Sequence, residues 1–231
     1  MAGEIAVKIE NLSFTYSGGE KPALNKVNLE IKRGEYLGIM GLNGAGKTTL
    51  GLSINGIVPQ STMGLYEGSV TVEGLDTATT PVREMARTVG IVFDNPEFQM
   101  SQVSAAEEVA LGLENLGVPN EEMPPRVGAA LGTVGLAGFE ERSPMGLSGG
   151  QQQRLAIASV LAMQPKILFM DEPTSNLDPI GKEEVFELAR KLNREEGMTV
   201  IVAEHEAEVL AAYADRIVVL HQGEIVMIGT P

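Results

Sequence analysis

The residues Gly41-Leu42-Asn43-Gly44-Ala45-Gly46-Lys47-Thr48-Thr49 have the spacing G-x-x-x-x-G-K-[ST] of a loop that cradles phosphate. Glycines let the backbone approach an anion with no Cβ between them. If the loop feeds a helix N-terminus, several backbone N–H groups and the positive end of the helix dipole converge on one spot. Lys47 then reaches the β- and γ-phosphates, and the Thr48 hydroxyl is placed to ligate Mg²⁺. The alternative is a Gly-rich turn that binds nothing. The flanks argue against it: Tyr36–Met40 reads as a short buried strand, and Leu50, Leu52 and Ile54 can begin a helix.

Other chemistry-bearing residues stand where α/β sheets place ligands, at the C-terminal ends of buried strands. Lys166–Met170 is one such strand and ends in Asp171-Glu172-Pro173. Asp171 can hold Mg²⁺, and Glu172 can polarise a water towards the γ-phosphate; a solvated acidic loop is the alternative. Met198–Ala203 is another, followed by Glu204-His205-Glu206. His205 is a candidate γ-phosphate contact or a structural histidine. Leu147-Ser148-Gly149-Gly150-Gln151 holds a capping box, Ser148 with Gln151, opening a helix that runs to about Met163. Two glycines in its first turn are poor helix formers. They make sense if a second anion approaches that N-terminus closely; an ordinary capped helix is the alternative. Tyr16 closes the first strand segment and can stack on a base or lie half-buried at the surface.

Composition narrows the classes. The chain has 231 residues, enough for one large domain or one domain with an insert. Seventeen Lys and Arg against 31 Asp and Glu give a net charge of −14, so the surface as a whole repels nucleic acid. With no cysteine and only His205 and His221, disulfides, thiolate metal sites and histidine-rich metal clusters are excluded. Met1-Ala2-Gly3-Glu4-Ile5 carries no basic, apolar leader. No apolar run approaches the ~18 residues of a membrane span, so a membrane role needs another subunit.

These residues need elements to position them. Ile5, Val7 and Ile9, then Val27, Leu29 and Ile31, then Ser69–Gly74, alternate apolar and polar and suggest an antiparallel patch beside the phosphate loop. Val89–Phe93 is continuously apolar, as expected of a central strand. Ser104 and Glu107 form a capping box that opens a helix to about Leu116. Pro119, Pro124 and Pro125 punctuate the next stretch, and a second helix spans roughly Arg126 to Val134. Asp178 caps a helix with Pro179 at its first position, Val185, Leu188, Ala189 and Leu192 as its buried stripe, and Gly197 at its end. Residues 217–228 read as a closing hairpin with His221 in its turn.

Together these motifs resemble the ATP-binding subunits of ABC transporters over nearly the whole chain. Gly41–Thr48 matches the Walker A, Leu147–Gln151 the LSGGQ signature, and Ile167–Glu172 the Walker B with its following glutamate. Ser175–Asp178 resembles the D-loop, His205 the switch histidine and Tyr16 the adenine-stacking aromatic. Asn95–Gln99 and Glu107–Gly117 are most similar to the energy-coupling-factor and cobalt-type importer ATPases. The resemblance implies an α/β fold: a P-loop NTPase core with a mostly parallel sheet plus an antiparallel β subdomain (together about 1–93 and 143–231), and a helical subdomain (about 94–142) running into the signature helix. It implies Mg²⁺-dependent ATP hydrolysis by a dimer, each ATP held between one chain's Gly41–Thr48 and the other's Ser148–Gln151. It also implies an integral membrane partner, a peripheral location on the inner face of the membrane, and uptake of a vitamin or transition metal. A non-transport ABC ATPase acting as a clamp in DNA repair, translation or iron–sulfur assembly is the alternative. Many relatives continue with a dimerisation segment or a second ATPase half. One residue departs from the pattern: the family carries a glutamine where Asp94 stands. Asp94 can still ligate Mg²⁺, but it adds negative charge beside a triphosphate.

Overall fold

The computed structural model describes residues 4–231, so the part of the leader reading that concerns Met1, Ala2 and Gly3 lies outside the described residues. Strands β1 (Ile5–Tyr16) and β2 (Leu24–Lys32) pair antiparallel. Alternation marks only the first part of β1, because a bulge interrupts it. Ile9 pairs with Leu29 and Leu12 with Val27, so Glu10 and Asn11 stand against Asn28 alone. The side chains of Asn11 and Asn28 bond across the bulge, and Asn11 adopts φ +50°. The extra residue switches parity, so that Leu12 and Phe14 continue the buried face begun by Val7 and Ile9, and Tyr16 follows on that face.

Strand β3 (Tyr36–Met40) leads through the glycine loop into α1 (Lys47–Asn55), followed by the single-turn helix α2 (Ile57–Gln60). Strands β4 (Gly64–Val72) and β5 (Leu75–Asp76) complete a four-stranded sheet of order β2-β1-β4-β5, in which each neighbouring pair is antiparallel. After the short helix α3 (Val82–Met85) comes β6 (Val89–Val92). The continuous apolar character of this segment predicts a central strand, but β6 lies at the edge of its sheet. Helices α1 and α6 (Gly149–Leu161) pack against it, so an edge strand is buried as thoroughly as an inner one.

Helices α4 (Ala105–Leu116) and α5 (Met123–Thr133) precede α6 and form the expected helical stretch. Ser104 caps α4 by accepting from Glu107 N–H, yet only half of the predicted box forms. The neighbouring Glu108 carboxylate instead turns back to accept from the N–H groups of Ser101 and Gln102 at 2.7 and 2.9 Å. Helix α5 starts at Met123, before the predicted Arg126, with Pro124 and Pro125 inside its first turn. Proline costs nothing there, since first-turn N–H groups have no intrahelical acceptor.

Strand β7 (Ile167–Asp171), helix α7 (Pro179–Glu196), strand β8 (Thr199–Glu204), helix α8 (Ala207–Tyr213) and the hairpin β9 (Arg216–His221) with β10 (Glu224–Gly229) complete the chain. Asp178 caps α7 through Gly181 N–H at 2.7 Å, the stripe Val185, Leu188, Ala189 and Leu192 is buried, and Gly197 ends the helix at φ +70°. His221 is the last residue of β9, paired with Glu224. The turn is Gln222-Gly223, both at positive φ as a two-residue hairpin turn requires. The second sheet has the order β10-β9-β3-β8-β7-β6, and within it only the β9–β10 pair is antiparallel.

This sheet separates two apolar cores. Leu168, Met170, Val200 and Val202 pack with α4 to α7, whereas Ile167, Phe169, Ile201 and Ala203 pack with α1 and the antiparallel sheet. Strands covered on both faces read as unbroken apolar runs. Their C-terminal ends share one rim, which carries Met40, Asp171 and Glu204.

Candidate functional site

The glycine loop leaves β3 at Met40 and enters α1 at Lys47. Gly46 is the N-cap, at φ 108°, and no side chain caps the helix, so the first-turn N–H groups are left for a ligand. A Cβ at Gly46 would lie 2.5 Å from the Ala23 carbonyl oxygen, and one at Gly41 would lie 2.6 Å from that of Leu220. Only glycine satisfies both positions. Around the loop lies a cleft of 420 Å³, lined among others by Tyr16, Asn43, Gly44, Thr48, Thr49 and Asp171. Leu42 is exposed and Ala45 buried, its N–H bonded to the Leu42 carbonyl at 3.0 Å. Lys47 is only 4% exposed. Its ammonium donates to the carbonyls of Gly41 (2.7 Å) and Leu42 (3.3 Å) and pairs with Glu172 Oε1 at 2.9 Å.

Asp171 closes the cleft from the end of β7. Its Oδ2 accepts from the Thr48 hydroxyl at 2.5 Å, while its buried Oδ1 has no partner. Burial pushes its carboxyl above the usual range, with Glu172 and Asp94 adding to the shift and the Thr48 hydroxyl and Lys47 opposing it. An orphaned carboxylate oxygen beside a hydroxyl is a fitting donor set for Mg²⁺, which prefers hard oxygens. No group of three or more acidic or histidine side chains among the described residues could hold a metal alone. A cation here would therefore draw further ligands from phosphate and water, as Mg²⁺ usually does.

Glu172 sits at φ +44°, a left-handed conformation uncommon for a non-glycine residue and concentrated at functional sites. With Oε1 on Lys47, its Oε2 lies 3.9 Å from His205 Nδ1. His205 begins the loop after β8, half exposed, and lines a neighbouring pocket with Leu42, Asn43 and Glu172. Tyr16 is 37% exposed; its hydroxyl meets Thr49 Oγ1 at 3.0 Å and its ring stands edge-on to Phe14. Asp94 also lines the cleft. Its Oδ1 accepts from Asn95 N–H at 2.9 Å, and no described hydrogen bond uses its Oδ2.

The structure thus brings Tyr16, the loop residues, Asp94, Asp171, Glu172 and His205 together. It keeps Ser148–Gln151 apart. Both halves of the Ser148–Gln151 capping box form, but this N-terminus does not line the phosphate-loop cleft. Gly149 lines a separate pocket with Asn176 and Leu177, and Asp94 lies between the two pockets. An added Cβ at Gly149 or Gly150 would meet nothing in the chain nearer than 3.5 Å, so packing within the chain does not explain the glycines. A cavity of 600 Å³ lies by Arg33, Arg126 and Lys166, away from every residue of the site. Its cations are already paired, with Glu73 or Glu122.

Three supporting groups escaped the sequence reading. Glu204 is 1% exposed yet ionisable, and it bonds Thr174 and His205. Gln99 accepts from Phe93 N–H at 3.0 Å, and Gln153 of α6 donates to the Phe93 carbonyl at 3.4 Å. The only sequence signal for Glu204 is an acid that ends an apolar run just before a histidine. Gln99 and Gln153 have no sequence signal of their own.

Residues 24–175 match the ABC transporter family. A putative ABC transporter ATP-binding protein of Pyrococcus abyssi is 50% identical over 97% of this chain and 80% of its own length. Among solved structures, cbiO1 of Clostridium perfringens, described as part of the ABC transporter complex cbiONQ, superposes with a TM-score of 0.87 at 35% identity. That superposition covers 99% of this chain and 89% of cbiO1. The ATP-binding cassette MJ0796, a dimer in a post-hydrolysis state bound to ADP and Pi, gives a TM-score of 0.83 at 35% identity, over 97% and 98% of the two chains.

Proposed function

Because the chain belongs to the ABC transporter ATP-binding family, and is an ATPase of that kind, we propose that it powers a membrane importer as one partner of a nucleotide-sandwich dimer. The orphaned Asp171 Oδ1 and the Thr48 hydroxyl, at the uncapped N-terminus of α1, carry the nucleotide and metal part of this reading. The loop N–H groups and Lys47 bind and orient the triphosphate, and Thr48 and Asp171 hold Mg²⁺. Bound there, the ion neutralises charge developing on the phosphates. Glu172 takes a proton from the attacking water, and His205 stands beside it towards the γ-phosphate. Tyr16 stacks on the base.

Ser148–Gln151 does not line the same chain's cleft. We assign it to the nucleotide of a second copy or a homologous chain, by analogy with the dimeric MJ0796 cassette. Residues 94–142 form the helical subdomain, which faces an integral membrane subunit. No described helix is long and apolar enough to cross a membrane. The strings Asn95–Gln99 and Glu107–Gly117, together with the likeness to cbiO1 of an ABC transporter complex, favour an importer of the energy-coupling-factor and cobalt type, with a vitamin or transition metal as cargo. The test is phosphate release from ATP with and without Mg²⁺, together with co-purification from membranes. Release that ignores Mg²⁺ overturns the metal assignment, and the lack of any integral membrane partner overturns the importer.

Tyr16→Ala should weaken ATP binding by about 1–3 kcal/mol, the worth of a base–aromatic stack. Stacking tolerates every base, so GTP should bind within about tenfold of ATP. Calorimetry showing unchanged ATP affinity in the variant would return Tyr16 to a surface tyrosine packed on Phe14.

Asp94→Gln should flatten the Mg²⁺ dependence of ATP affinity. A carboxylate repels the γ-phosphate by ~4 kcal/mol at 4 Å and an effective dielectric of 20. It also holds Mg²⁺ more strongly than an amide oxygen does. Without metal the wild type should therefore bind ATP more weakly than the variant, and at saturating Mg²⁺ the two should converge. Parallel curves would place the carboxylate away from the ion.

A further inference from the structure

Glu204 is the last residue of β8, buried at 1% exposure on the rim that carries the site. A buried carboxylate is tolerated only if donors surround it. Oε2 accepts from the Thr174 hydroxyl at 3.1 Å, in the segment between Glu172 and α7. Oε1 accepts from His205 N–H at 2.7 Å and lies 2.8 Å from His205 Nδ1. The ring and the carboxylate are not aligned as a hydrogen bond, but a lone pair on Nδ1 repels the oxygen at that distance, which favours the hydrogen on Nδ1. The partner of one imidazole nitrogen decides where the ring carries its hydrogen. We propose that Glu204 is a positioning residue that holds His205 as its Nδ1–H tautomer and leaves Nε2 free for the nucleotide cleft.

The backbone and ring contacts converge on one oxygen, which fixes both the start of the loop and the ring's orientation. Glu172 Oε2 lies on the same nitrogen's side at 3.9 Å, farther than Glu204, so Glu204 rather than Glu172 sets the tautomer. Thr174 on the other oxygen ties this arrangement to the segment that carries Ser175–Asp178. Glu206 does not compete for the ring, since it is drawn to Lys182 at 2.6 Å.

The role of Glu204 rests on the ATPase reading of His205, but its test does not. With only two histidines in the chain, a two-bond ¹H–¹⁵N spectrum of the nucleotide-free protein shows two imidazoles, and a His221→Gln variant assigns them. His205 should show the Nδ1–H tautomer in the wild type and in Glu204→Gln, whose amide oxygen still accepts. In Glu204→Ala it should lose that preference while His221 stays unchanged. ATP turnover of Glu204→Ala should fall about 10- to 100-fold, as when the outer partner of a metal-bound histidine is removed, with KM little changed. An Nε2–H tautomer in the wild type overturns the proposal whether or not Glu204→Ala folds. So does an unchanged His205 spectrum in a folded Glu204→Ala. Lack of phosphate release by the wild type would instead overturn the ATPase reading and leave the tautomer result standing.

Discussion

Lys47→Ala is expected to lower ATP turnover by about 10²–10³-fold or more while the protein stays folded. Removing one preorganised charge from a dry site costs about that much, and here the lost group is the loop's only cation. The geometry of Lys47 shows why the fold should survive. The ammonium caps two carbonyls of its own loop and pairs with Glu172, and no other element of the core depends on it. The loss does remove the cation that faces Glu172 and Asp171. The variant should therefore melt a few degrees lower, at about 2–4 °C per kcal/mol for a chain of this size. The measurements are phosphate release and thermal unfolding. Wild-type turnover in a folded variant would show that the triphosphate is not held at this loop.

Much of this site is legible in the sequence because its signals are local. Glycine spacing, the adjacent acids Asp171 and Glu172, and the Ser148–Gln151 capping box each report a backbone geometry within a few residues. The buried strands are legible as apolar runs for the same reason. What the sequence hides is long-range or parity-dependent. Val89–Val92 reads as a central strand because α1 and α6 pack against it, and periodicity reports covered faces, not neighbours. Tyr16 lies on the inner face only because the bulge at Glu10 and Asn11 shifts the alternation, and a single asparagine pair gives no pattern to detect. The prolines of α5 read as breakers because proline is penalised inside a helix but not in its first turn. Glu204 is the clearest case. Its burial follows from the strands beside it, and its partner Thr174 is 30 residues away.

In the cleft Lys47 and Glu172 lie 2.9 Å apart as an ion pair, so the ammonium must leave Glu172 to meet a triphosphate. Glu172→Gln keeps the side chain's size and reach, and it leaves the backbone at φ +44° in the conformation that Glu172 already tolerates. It removes a negative charge facing the phosphates and frees Lys47, both of which favour ATP. It also removes the proton acceptor, so turnover should fall by about 10²–10⁴-fold. Tighter binding combined with stalled hydrolysis should leave the nucleotide in place, with Ser148–Gln151 of a second copy closing over it. Size-exclusion chromatography in ATP and Mg²⁺ should then move the variant to twice its monomer mass, whereas Lys47→Ala stays monomeric. A stalled variant that binds ATP but remains monomeric would mean that its partner is a different chain. A variant that still turns over at the wild-type rate would mean that Glu172 is not the base.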